Sequence, residues 1–246
     1  MSPQSQPEEP IPPRPNGSLK GRVAIVAGAG SQSSGIGNGR AAAILLAEAG
    51  ASVVCADLNL SWAQRTADMI TEEFGEGRAV AVQTDVTKTG DCEKTVKLAL
   101  ERYGRLDILV NNVGIGGPVG DAVGVDPEAW RKAMDVNVLG MVLMTKYAVP
   151  VMERNERNEV GVRGAVVNMA SIAGLVGGNP MLLYPTSKGA VVNMTRAMAA
   201  HHGGSGIRVN CVCPGEWFSV NYLVSERADG IFVKGCCIRQ CCIVEG

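Results

Sequence analysis

Tyr184 and Lys188 stand four residues apart, so on a helix they share one face, one turn from each other. A tyrosine with an ordinary pKa near 10 is a poor base at neutral pH. A neighbouring ammonium favours the phenolate, and Lys188 supplies one. Ser171, 13 residues before Tyr184 and at the end of an apolar run, can donate a hydrogen bond to a substrate oxygen as charge develops on it. The trio suits the interconversion of a secondary alcohol and a ketone. In that reaction one group must move a proton at oxygen while a hydride moves at carbon. The chain has only two histidines, His201 and His202, which argues against a Ser-His-Asp triad and against a multi-histidine metal site; no metal ligands are assigned.

A hydride needs a carrier, and a second group of residues suits one. The apolar run Val23–Ala27 leads into Gly28-Ala29-Gly30-Ser31-Gln32-Ser33-Ser34-Gly35-Ile36-Gly37 and then into a helical pattern. Glycines between a strand and a helix let the main chain approach a pyrophosphate, whose charge is met by free N–H groups and the positive helix end. Asp57 follows 20 residues after Gly37, at the end of the second apolar run. A carboxylate there accepts from the adenosine ribose hydroxyls and repels a 2′-phosphate. NAD is therefore the expected cofactor. No Arg or Lys lies between Gly28 and Gly39, although a basic residue from elsewhere would admit NADP.

The elements that must hold these residues are legible as short apolar runs alternating with longer segments of helical spacing. Strands are expected at Val23–Ala27, Ser52–Ala56, Ala79–Gln83, Ile108–Val110, Ala165–Met169 and Arg208–Val212. Helices are expected at Gly39–Ala49, Trp62–Phe74, Asp91–Tyr103, Pro127–Met152 with a break near Asp135, and Ser187–His201, with a charged loop over Glu153–Gly164. This alternation predicts an α/β fold: a Rossmann-like, doubly wound parallel sheet with helices on both faces. The composition agrees, with 46% hydrophobic residues and 31 glycines among 246 residues, well above the usual ~7% of glycine. A net charge of -1 gives no electrostatic reason to expect nucleic acid or an acidic membrane as partner.

With these residues in hand, the chain resembles the short-chain dehydrogenase/reductase family from Leu19 to Gly215. The likeness rests on the glycine loop, Asp85-Val86, Asn111-Asn112-Val113-Gly114, Asn137, Ser171, Tyr184-x3-Lys188 and Asn210-x3-Pro214-Gly215. It implies a catalytic set of Ser171, Tyr184, Lys188 and Asn137, the last holding a water that relays protons to Lys188. It also implies a cofactor set of Gly28, Ser34, Gly35, Ile36, Gly37, Asp57, Asp85, Val86, Asn112, Tyr184 and Lys188. Within that set, Asp85 would hold the adenine amino group, Asn112 would stabilise the sheet and the cofactor edge, and Ile36 would line the pyrophosphate crossing. Six residues separate Gly28 from Gly35, where the family usually has three. That longer loop resembles the enoyl-reductase branch, but the Tyr-x3-Lys spacing fits the carbonyl/alcohol branch. The loop Gly116–Gly124, small and apolar, suggests a modestly hydrophobic alcohol or carbonyl compound as substrate, such as an intermediate of secondary metabolism. The family's long paired helices, here Val136–Val151 and Ser187–His201, allow a homodimer.

The ends of the chain read differently. Residues 1–18 hold six prolines and few large apolar side chains, as expected of a disordered arm. With neither a secretory pattern nor a long apolar run, the expected location is cytoplasmic. After Pro214-Gly215 the family pattern stops, and 31 residues follow. This tail, 216–246, carries Cys236, Cys237, Cys241 and Cys242 without metal-ligand or prenylation spacing. Ser219 could stand in for the family threonine that touches the carboxamide. The expectation is a divergent or truncated member without the usual last strand. An inactive or regulatory nucleotide-binding remnant is the alternative to an active dehydrogenase.

Overall fold

The computed structural model describes residues 17–32, 35–215 and the main chain of 242–244. Its six parallel strands are β1 (Val23–Ala27), β2 (Ser52–Asp57), β3 (Ala79–Gln83), β4 (Ile108–Asn111), β5 (Gly164–Met169) and β6 (Ile207–Cys213). They lie side by side in the order 3-2-1-4-5-6. Each matches an expected strand to within one residue at either end. The order reverses between β1 and β4, and a crevice at the carboxyl ends of the strands is where such sheets place ligands.

Helices cover both faces because the strands are apolar on both. All five residues of β1 are buried. Val23, Ile25 and Ala27 pack with α3 (Thr89–Tyr103) and α5 (Gly140–Met152) through Val96, Met144 and Met152. Val26, between them, faces the opposite side and packs with α1 (Asn38–Glu48) and α2 (Leu60–Phe74) through Ala43, Ala47 and Ile70. This alternation follows from the two-residue period of a strand. Asn59 caps α2 by accepting from the N–H groups of Ser61 and Trp62. Asp126 caps α4 (Pro127–Met134) by accepting from the N–H of Glu128, with Pro127 at the first helical position, where its missing N–H costs nothing.

Three departures from the expected elements bear on the site. The break near Asp135 is a single π turn, Asp135–Leu139, joining α4 to α5. A widened turn of this kind often marks a functional position, and Asn137 sits within it. The last long helix, α6 (Leu183–His202), starts four residues before the expected Ser187. Pro185 does not stop it, because proline is tolerated in a first turn. Both Tyr184 and Lys188 therefore ride on α6. Finally, the tail is not without strand: β7 (Cys242–Val244) lies beside β6, antiparallel, with Cys213 opposite Cys242 and Cys211 opposite Val244. The six-stranded parallel sheet stands as expected. The place next to it is taken by three residues of opposite direction, which a segment that short cannot announce by periodicity. Cys236, Cys237, Cys241 and Ser219 lie outside the described residues. Among the described residues, no helix is long and apolar enough to cross a membrane.

Candidate active site

The nucleotide end is assembled by four strand exits. Gly28 turns the chain out of β1 with φ +82°, a conformation that glycine adopts without strain. Its carbonyl accepts from Asn112 Nδ2 at 2.9 Å, which ties the exits of β1 and β4 together at the reversal of strand order. Helix α1 then packs so closely beneath the loop that a Cβ at position 39 would lie 1.8 Å from the Gly28 oxygen. Gly37 precedes α1 with extended backbone and brings no side-chain acceptor to the helix end. Ile36 is 61% exposed beside it, and Gly35 is exposed as well. Ser34 lies outside the described residues. At the exit of β2, Asp57 accepts from the Gly30 N–H at 2.9 Å and from the Asn59 N–H at 3.0 Å, so its carboxylate stands against the glycine loop.

At the exit of β3, Asp85 accepts from the hydroxyl and the N–H of Thr87 at 2.7 and 3.0 Å and lies 3.4 Å from Lys88 Nζ. The Thr87 hydroxyl and then its N–H, with Lys88, hold the Asp85 carboxyl below its ordinary range against the opposing effect of burial. Val86 is buried and pressed against Gly140, where a Cβ would come within 2.6 Å of its methyl group. Residues predicted as one cofactor set thus lie along one edge of the sheet.

The chemical end is built between β4, β5 and α6. Lys188 is 3% exposed, and its Nζ donates to the Met169 carbonyl at 2.7 Å. Burial lowers its pKa from 10.5 to about 8. The same nitrogen is 5.7 Å from the centre of the Tyr184 ring, a cation–π distance. Tyr184 itself is half-buried. Ser171 leaves β5 and caps a short turn, Ile172–Gly174, accepting from the Ala173 N–H at 3.2 Å. Ser171, Tyr184, Lys188, Asn112, Gly114, Pro214 and Gly215 line one cavity. Asn137 is fully buried. Its Oδ1 accepts from the Ile115 N–H at 2.8 Å, and its Nδ2 donates to the Ile115 carbonyl and to Ser187 Oγ at 2.9 and 3.0 Å. These three bonds hold the exit of β4 to α6.

Several residues of the site were not picked out in the sequence. Gly174 packs on α6 so tightly that a Cβ would lie 2.5 Å from the Lys188 carbonyl carbon; this contact fixes Ser171 relative to Tyr184. Met181 stands over Gly116, and its segment is bridged to Gly120, with the Leu182 N–H donating to the Gly120 carbonyl at 3.0 Å. Arg40 and Thr66 are buried beneath the glycine loop. None of these has a spacing signal, because each depends on which elements meet.

Comparison with known proteins supplies the context for this geometry. A family model for short chain dehydrogenases matches residues 22–222. The chain is 38% identical over 193 residues to the meso-2,3-butanediol dehydrogenase of Serratia marcescens, covering 78% of this chain and 70% of that one. It is 36% identical over 213 residues to the cyclohexanol dehydrogenase of an Acinetobacter species, covering 87% and 79%. A crystallised Burkholderia xenovorans chain described as a short-chain dehydrogenase/reductase superposes with a TM-score of 0.73 at 37% identity, covering 80% of this chain and 75% of that one. Because sequence and structure agree over the same region, the chain belongs to the short-chain dehydrogenase/reductases, oxidoreductases that use nicotinamide cofactors.

Proposed function

We propose that the protein is an NAD(H)-dependent dehydrogenase or ketoreductase acting on an uncharged, modestly apolar secondary alcohol or ketone. The observation that carries this reading is the buried ammonium of Lys188, held by the Met169 carbonyl beside the Tyr184 ring in the cavity that Ser171 also lines. A bound nicotinamide dinucleotide supplies the acceptor or donor of the hydride. The residues present suit such a group: the close-packed glycine turn and the uncapped end of α1 would hold the pyrophosphate, Asp57 the adenosine ribose, Asp85 the adenine, and Lys188 the nicotinamide ribose.

In the oxidation direction, Tyr184 takes the proton from the substrate hydroxyl; in reduction it returns that proton to the carbonyl oxygen. The ammonium of Lys188 stabilises negative charge on the phenolic oxygen between these steps, and Ser171 donates to the substrate oxygen. With its side chain committed to Ile115 and Ser187, Asn137 serves the relay by fixing the π turn next to Lys188. Preference for NAD over NADP follows from the Asp57 carboxylate, which would repel a 2′-phosphate. Among the described residues lining the cavity, Lys188 is the only cation, and it is engaged by Met169; hence the substrate is taken to be uncharged.

The relatives named above, which act on a diol and on a cyclic alcohol by their names, agree with this class. A homodimer through the segments Val136–Val151 and Ser187–His201 is part of the proposal, supported by the exposed apolar side chains Leu139 and Val142 in the first of them. A cytoplasmic location agrees with the buried free thiols of Cys55 and Cys92, since such thiols persist in reducing compartments.

The test is a titration of the full chain with NADH and NADPH, followed by turnover on a panel of secondary alcohols and ketones. NADH is expected to bind more tightly. Tyr184→Phe is expected to lower kcat by about 10²–10⁴-fold, the usual contribution of a positioned acid/base, with dinucleotide affinity retained. Dinucleotide binding with no turnover on the whole panel would instead establish the nucleotide-binding remnant.

A further inference from the structure

The buried arginine beneath the glycine loop does work that the reading above leaves unassigned. Arg40 lies in the first turn of α1 and is 2% exposed. A cation there is unfavourably placed on two counts: it is withdrawn from water, and it sits at the end of the helix that is already positive. Its contacts show what holds it. Nη1 donates to the Gly35 carbonyl at 2.7 Å and Nε to the Thr66 hydroxyl at 3.0 Å. Thr66, fully buried on α2, passes its own proton on to the Ala29 carbonyl at 2.8 Å, sharing it with the Trp62 carbonyl at 3.3 Å.

Ala29 stands two residues after the end of β1 and Gly35 three before the start of α1, so Thr66 holds one end of the long turn and Arg40 the other. Binding an anion on a glycine turn orders that turn, and ordering costs conformational entropy. Anchoring both ends in advance removes part of that cost.

We propose that Arg40, through Thr66 and Gly35, is a positioning residue that sets the glycine turn for the pyrophosphate of a dinucleotide. This rests on the nucleotide reading above. Asp57, proposed for the adenosine end, meets the turn at the Gly30 N–H, whereas Arg40 and Thr66 hold the Gly35 and Ala29 carbonyls, so the two ends of the ligand are probed separately.

Calorimetric titration of the full chain with ADP-ribose and with adenosine tests the assignment. Arg40→Met keeps the aliphatic stem and removes the guanidinium. It is expected to weaken ADP-ribose by about 10- to 100-fold, the worth of charge-assisted hydrogen bonds, with adenosine within about two-fold. With substrate, KM for NADH should rise while kcat at saturation holds. Thr66→Val should repeat the loss and Thr66→Ser restore binding; if Arg40→Met does not fold, these hydroxyl variants decide. ADP-ribose binding by Arg40→Met equal to that of the wild type, or an equal loss for both ligands, would overturn the proposal. Failure of the wild type to bind ADP-ribose would remove the nucleotide reading and this inference together, a result distinct from either.

Discussion

Lys188 carries two opposing demands. The proposed catalysis needs its charge beside Tyr184, while burial disfavours that charge and brings its pKa from 10.5 down to about 8. The sign of the effect on stability follows. Between about pH 8 and 10.5 the folded chain has released this proton and the unfolded chain still holds it, so stability rises with pH through that window. Below it the buried ammonium is a standing cost. Chemical denaturation of the wild type and of Lys188→Met, without dinucleotide, should show the wild type gaining on the variant from pH 8 to 10.5; a constant difference would refute this. The pairing of Tyr184 with Lys188 was legible from spacing. The depressed pKa was not, since it arises from the elements that close over the lysine.

Elements fix the distances that spacing leaves open. The turn Ile172–Gly174 lies on α6 because Gly174 has no side chain to meet Lys188 and Gly189. Gly174→Ala should cost about 1–3 kcal/mol of stability, as overpacking usually does, or more because the obstacle is backbone. It should also lower kcat more than dinucleotide affinity, because it separates Ser171 from Tyr184 and leaves α1 untouched. Thermal unfolding and steady-state kinetics on one preparation would show both.

A second contact between elements joins Gly120 to Met181 and brings Met181 over Gly116. Met181→Ala should therefore enlarge the substrate mouth. The preference for a bulky over a small ketone, measured as a ratio of kcat/KM, should shift by about 10-fold or more, since one methylene in a hydrophobic pocket is already worth that much and the substitution removes three heavy atoms. An unchanged ratio would place Met181 away from the substrate. The small, apolar character of the 116–124 loop was readable; its contact with Met181 was not, because the two segments are far apart in sequence.

At the scale of the whole molecule, Asp107 joins the starts of β1 and β4 at the edge opposite the site. It is 4% exposed, accepts from the Val23 N–H at 3.0 Å, and pairs with Arg22 and Arg105 at 2.8 and 2.7 Å. Asp107→Ala should destabilise the fold by about 2–3 kcal/mol, less than loss of a fully buried pair because both arginines keep partial access to water. Denaturant midpoints measure this, and dinucleotide affinity in the folded fraction should be unaffected.

The sequence by itself determined the parallel sheet and its six strands, and made legible the residues proposed for the nucleotide and catalytic motifs. Strands buried on both faces read as short apolar runs, and the motifs rely on fixed spacing within one turn or one helix. The tertiary structure alone decided the bracing of the long glycine turn by Arg40 and Thr66, the seating of Ser171 by Gly174, the commitment of the Asn137 side chain and the antiparallel direction of β7. Each of these depends on a contact between segments distant in the chain, and periodicity, which records only how one segment meets its own surroundings, carries no information about which partner that segment meets.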